Sequence, residues 1–210
     1  MTDPTAAPEA AFPFADDQHL RETLISSQQV YRGHFLDVRS DRVRLPDGSE
    51  AGREYIVHSG AVMIVPLLDD GRLVLERQYR YPLQRAVIEF PAGKLEPGEP
   101  TLPCAVRELF EETGYSAAEW ALAGELHNAI AYSTERIEVW FARGLVAGER
   151  QLDDGEFLDV FSATQAELED WVLAGQVSDA KTLVGLLWLQ QWHAGRLKLD
   201  WRRVAAGPAG

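Results

Sequence analysis

Three closely spaced glutamates raise the first chemical question. In "GKLEPGEPTLPCAVRELFEETGY", residues 93–115, Glu108, Glu111 and Glu112 stand at i, i+3 and i+4 just before Gly114. On a helix that spacing puts all three carboxylates on one side of the last turn. Thr101 is a candidate N-cap, Pro103 fits a first turn, and Gly114 suits a left-handed C-terminal position. The acids then sit at the negative pole of the helix dipole, at a cost of about 0.3–1 kcal/mol each. A like-charged i,i+4 pair adds about 0.2–0.5 kcal/mol, and the single Arg107 offsets only part of it. Penalties of this size are tolerable on a solvated surface. Spacing alone therefore leaves two readings, a charged outer face or a set of oxygen ligands for a hard divalent cation.

The wider pattern separates them. Gly93, five residues, Glu99, seven residues, then Arg107-Glu108-Leu109-Phe110-Glu111-Glu112-Thr113-Gly114-Tyr115 resemble the signature of the Nudix hydrolases at every fixed position. The resemblance implies a loop–helix–loop whose glutamates hold Mg²⁺, with Mn²⁺ as an alternative. Carried over, Glu108 and Glu112 are the principal metal ligands and Glu111 supports them, with the carbonyl of Ala92 as a further ligand. Arg107 orients the glutamates and Glu99 braces the loop against the helix. The implied reaction is hydrolysis of a nucleoside diphosphate linked to another group, which requires a carboxylate to take up a proton. In the ADP-ribose and nucleotide-sugar branch that base lies on a late loop. Here the matching stretch is "QLDDGEFLDV", with Glu156 and Asp154 as candidates for base or extra metal ligand; a solvated loop acid is the alternative for each.

The resemblance extends over roughly residues 24–193 and is closest to the dimeric ADP-ribose pyrophosphatases and their nucleotide-sugar relatives. It implies a homodimer in which N-terminal strands exchange and complete both sites. Arg53 and Arg80 are then candidate phosphate or ribose contacts, Glu89 a polar contact beside the site, and His34 or Phe35 a stacking surface for the base. One departure concerns substrate. "HNAIAYSTE" places Ile130 where that branch carries a proline, so GDP-mannose or another nucleotide sugar competes with ADP-ribose. A non-catalytic Nudix-fold binding module is a further alternative, disfavoured by the intact motif acids. Nucleotide-pool cleansing is disfavoured by the N-terminal strand segment.

These residues need a scaffold. Residues 1–20 read as a flexible tail and 21–58 as an N-terminal antiparallel strand segment suited to dimerisation. Residues 59–200 read as the catalytic domain and 201–210 as a second tail. The strand signals are "LISSQQVY", "FLDVRSDRVRL", "EAGREYIVH", "AVMIVPLL", "RLVLERQYR", "AVIEFPAG", "WALAGELHNAI", "IEVWFARGL" and "EFLDVFSA". Two late helices follow: one with Leu168, Trp171, Val172 and Leu173 as apolar positions, one with Ser178 as N-cap and Gly195 past its end. The fold class expected is α/β, a Nudix-type α/β/α sandwich with a mixed sheet plus the N-terminal strands.

Composition sets outer bounds. The 210 residues carry a formal charge of −13, which argues against a nucleic-acid surface, although local cations can still bind a small phosphorylated ligand. The single Cys104 forms no intramolecular disulfide and reads as a buried structural thiol. With no apolar run of about 18 residues and no signal-like N-terminus, the chain reads as cytoplasmic, with no membrane partner.

Overall fold

The structure is a computed structural model that describes residues 16–152 and 155–204. The chain divides into two compact units at Ile56/Val57. The first holds three strands, β1 (Thr23–Arg32), β2 (Asp37–Arg44) and β3 (Glu50–Val57), whose last residue crosses that boundary. They form one sheet in the order β1-β2-β3, with β1 antiparallel to β2 from Thr23↔Arg44 to Arg32↔Asp37. Gly48 at φ 87° turns the chain between β2 and β3, helped by Asp47, whose Oδ1 accepts from the Ser49 N–H at 2.9 Å. Every residue of β1 is exposed, including Leu24, Ile25, Val30 and Tyr31.

The second unit is built on an eight-stranded sheet. Its strands are β4 (Ala61–Leu67), β5 (Leu73–Arg80), β6 (Arg85–Glu89), β7 (Ala92–Lys94), β8 (Tyr115–Leu126), β9 (Ile137–Ala147), β10 (Leu158–Ala163) and β11 (Arg202–Arg203). The main path runs β10-β5-β4-β9-β8-β11, with β6 beside β5 and β7 beside β4. Strands β4 and β9 are parallel, and the other pairs of known register are antiparallel. Three helices cover the sheet: α1 (Thr101–Thr113), α2 (Gln165–Leu173) and α3 (Ala180–His193). Among the described residues no helix is long and apolar enough to cross a membrane.

Strand β4 shows why the sequence runs apolar without alternation. All seven of its residues are buried because both faces are covered. Val62 and Ile64 pack with Cys104, Ala105 and Leu109 of α1, and with Trp120 and Trp140. Met63 and Val65 pack on the opposite face with Phe90, Phe141, Leu168 of α2, and Leu186 and Leu189 of α3. This is the expected layered α/β arrangement, with a mixed sheet between helices.

Several local expectations are corrected. "AVIEFPAG" is two strands, β6 on β5 and β7 on β4, because Pro91 has no N–H for a ladder. Across the break the Pro91 carbonyl accepts from the Ile64 N–H at 2.8 Å and the Phe90 N–H donates to Thr182 Oγ1 at 3.0 Å. Helix α1 is preceded by Pro100, and Thr101 sits inside it, its hydroxyl donating to Glu138 Oε2 at 2.5 Å. The N-cap of α3 is Asp179, which accepts from the Thr182 N–H at 2.9 Å, whereas the Ser178 hydroxyl accepts from Arg85 at 2.7 Å. Leu173 is exposed at the end of α2. Within 201–210, Arg202 and Arg203 pair with Trp120 and Glu119.

Candidate active site

The site begins where β7 runs into the loop before α1. The apolar residues of α1 fix its rotation: Cys104, Ala105 and Leu109 face the sheet, and this turns Glu112 inward, leaving it 4% exposed. Its Oε2 accepts from the Ala92 N–H at 3.1 Å. Glu108, one turn earlier, lies against the backbone of Gly93. A Cβ at that position would come within 1.8 Å of the Glu108 carboxyl carbon, so any side chain there would push the acid out of this position. Gly114 ends the helix at φ 76°, and a side chain there would meet the Gly148 carbonyl at 2.7 Å.

Arg107 ties the outer acids together. Its guanidinium donates to Glu99 at 3.1 and 3.0 Å, to Glu108 Oε1 at 2.9 Å and to Glu111 Oε2 at 2.9 Å. These bonds from Arg107 pull the Glu99 carboxyl down to about 2. Glu99 also accepts from the Glu96 N–H at 3.0 Å, so it anchors the loop as well as the arginine. Cys104 is fully buried, its thiol 3.4 Å from the Lys94 carbonyl, and burial pushes it up to about 12.

The inner acids have the opposite environment. Burial, then the nearby charges of Glu76, Glu108 and Glu156, raises Glu112 well above the ordinary carboxylate range. Burial also raises Glu108, against the pull of Arg107. Glu156 joins the group from the far side of β5. Its Oε1 accepts from Gln78 at 3.4 Å, and its charge acts on Glu76, Glu108 and Glu112. The Gly148 N–H bonds the Gly114 carbonyl at 2.8 Å and the Gln151 N–H bonds the Glu111 carbonyl at 3.0 Å, holding the approach to this loop against the end of α1. Asp154 lies outside the described residues.

Beside these acids lies a second charged group. Arg80 Nε donates to Glu89 Oε1 at 2.7 Å, and Lys181 binds the other Glu89 oxygen as well as Asp179 at 3.0 Å. Arg80, Val87, Glu89, Ser178 and Lys181 border a cleft of about 250 Å³. The structure thus brings together Ala92, Glu108, Glu111, Glu112, Arg107 and Glu156, with Arg80 and Glu89 linked to them through Glu76. Arg53, His34 and Phe35 belong to the other unit. Arg53, on β3, pairs with Glu22 at 2.9 Å, and His34 and Phe35 are exposed in the turn between β1 and β2.

Two residues escaped the sequence reading. Glu76 is fully buried on β5 and Lys181 is 9% exposed on α3. For Glu76 a signal existed, since it follows the apolar run Leu73-Val74-Leu75 and falls on the Val74 face. Lys181 gave none, because it meets Glu89 from 92 positions away.

The donor set fits a hard divalent cation. It is all oxygen, largely buried and rich in uncompensated negative charge, the condition that a bound cation reverses. Among the described residues no three acids, histidines or cysteines already stand at ligand spacing.

Comparison with known proteins agrees with this geometry. The NUDIX domain model matches residues 57–182, more than half of the chain, and the chain belongs to that family. Residues 22–56 match the nucleoside diphosphate sugar hydrolase N-terminal domain. An ADP-ribose pyrophosphatase of Bacillus subtilis (strain 168) is 36% identical over 81% of this chain and 94% of its own. A methanol dehydrogenase activator of Bacillus methanolicus is 33% identical over 82% of this chain and 95% of its own. Among solved structures, an ADP compounds hydrolase superposes with a TM-score of 0.76 at 26% identity, covering 85% of this chain and 98% of that one.

Proposed function

We propose that this protein hydrolyses the diphosphate bond of ADP-ribose or a related nucleoside diphosphate sugar, releasing a nucleoside monophosphate and a sugar phosphate. The observation that carries the proposal is the close fit of Glu108 on Gly93 beside the buried Glu112. A solvated acidic face would leave both acids in water, whereas here one carboxyl rests on a backbone free of any side chain and the next is buried. The B. subtilis relative, named for ADP-ribose, supports the choice of substrate.

Glu108 and Glu112, with Glu111 and the Ala92 carbonyl, would hold Mg²⁺, with Mn²⁺ able to replace it. When bound, the cation supplies the positive charge that a diphosphate and its departing phosphate require. Arg107 keeps Glu108 and Glu111 aimed, and Glu99 keeps Arg107 in place. Glu156 accepts the proton of the attacking water at its carboxylate, with Asp154 as the alternative base. Arg80 and Glu89 border the cleft beside the acids, where a phosphate or ribose of the substrate would bind.

The N-terminal sheet contributes through a homodimer. Support comes from β1, whose ten residues are all exposed and include four large apolar side chains. An uncovered strand of this kind favours pairing with a second copy. In that dimer Arg53 contacts phosphate and His34 or Phe35 stacks on the base. Sedimentation at micromolar concentration should give a dimer; a monomer would remove the exchange. The protein acts in the cytoplasm, where such small nucleotides are made and turned over.

A panel of nucleoside diphosphate derivatives with Mg²⁺, products identified by mass, tests the whole reading. AMP and ribose 5-phosphate from ADP-ribose are expected, and no cleavage of any member would refute it. GDP-mannose is the second reading, favoured by Ile130, which stands 84% exposed between β8 and β9.

A further inference from the structure

Among the described residues, Glu76 is the one carboxylate with both oxygens buried and unpartnered. It is fully buried, yet neither carboxylate oxygen has a hydrogen-bond partner among the described residues. Its strand neighbours are Glu89 on β6 and Val160 on β10. Val74, two residues earlier on the same face, is a buried hydrocarbon, so an apolar side chain would suit this part of β5. Two basic groups, Arg80 and Lys181, lie close enough to influence Glu76, and both are engaged by Glu89. What remains beside Glu76 is negative: Glu112 and Glu156. A buried carboxylate needs either a proton or a cation. Glu112 and Glu108, whose charges also act on one another, are the acids read above as cation ligands.

We propose that Glu76 is a further cation ligand of this site, reaching the metal from the sheet beneath α1. The inference rests on the cation reading of Glu108 and Glu112 given above. Glu76 adds a floor carboxylate from β5 to a set otherwise drawn from α1 and its flanking loops. Such a ligand raises affinity for the ion in the absence of any substrate, because its charge has no other use.

The test is Mn²⁺ binding to the full chain without nucleotide, by calorimetry or by the resonance of free Mn²⁺, in wild type, Glu76→Gln, Glu76→Val and Glu112→Gln. Glu76→Gln keeps the shape and resembles a protonated acid, so it separates proton from cation. Both Glu76 variants should bind Mn²⁺ about tenfold more weakly or worse, and Mn²⁺ should raise their melting temperature less than it raises that of wild type. A smaller loss of affinity in Glu76→Gln overturns the proposal. If Glu112→Gln alone weakens binding, only the role of Glu76 is lost. If neither does, the cation reading itself fails.

Discussion

The two sides of α1 treat the same residue type in opposite ways. On the outer side, Glu99 and Glu111 share Arg107, at 3.0 and 2.9 Å, so each has a cationic partner within the chain. On the inner side, among the described residues, Glu112 receives one backbone N–H and Glu76 receives no hydrogen bond. The outer set is a brace built on one guanidinium. Burial disfavours the charged form of the inner set, so a proton or a cation would stabilise it. Like acids therefore divide by burial into a set paired with a cation of the chain and a set that is not.

The sharpest way to break this contrast is Glu112→Gln. Turnover with Mg²⁺ should fall on the order of 100- to 1,000-fold, the range for losing one aligned electrostatic partner of a transition state. Circular dichroism should remain native, since the amide still accepts from Ala92. Near-normal kcat would remove the inner acid from the chemistry.

Arg107→Ala tests the outer side. Loss of a residue that orients ligands without touching the reacting atoms should cost roughly 10- to 100-fold in kcat or metal affinity. Arg107→Lys should recover little of it, because an ammonium group cannot reproduce the planar fork to three acids. Full rescue by lysine would show that charge, not geometry, is what matters there.

A smaller effect comes from pH in a chelating buffer. Glu99 is lowered from 4.5 to about 2, so its stabilisation is present above pH 4.5 and lost as pH falls towards 2. Glu76 and Glu112 are raised by burial, so they stabilise the fold below pH 4.5 and cease to do so as pH rises through their elevated values. Metal-free melting temperature should therefore rise as pH drops from 8 towards 5. Added Mg²⁺ should flatten that slope, and Arg107→Ala should weaken the acid-side decline, because Glu99 then returns towards its ordinary range and its stabilisation is lost at every pH. A metal-free curve that is flat from pH 8 to 5 would show that the inner acids are not strained by burial.

Much of this was visible in the chain because it is local. Gly93, Arg107, Glu108 and Glu112 lie within 20 positions, and a single helix with its loop sets their geometry. The apolar run of β4 likewise announced a strand. Residues that meet through the sheet were harder. Placing Glu76 beneath α1 requires knowing that β5 neighbours β4 and which face of it Val74 shares. Helix starts also depended on tertiary partners: Thr101 is drawn to Glu138, and Asp179 displaces Ser178 by also binding Lys181.

Strand β4 has one more consequence. Met63 and Ile64 are joined by a peptide bond but look into separate interiors, one shared with α3 and the other with α1. The backbone between them is a partition wall, so a methyl probe on Ile64 listens to the acid-bearing helix while its neighbour reports the far room.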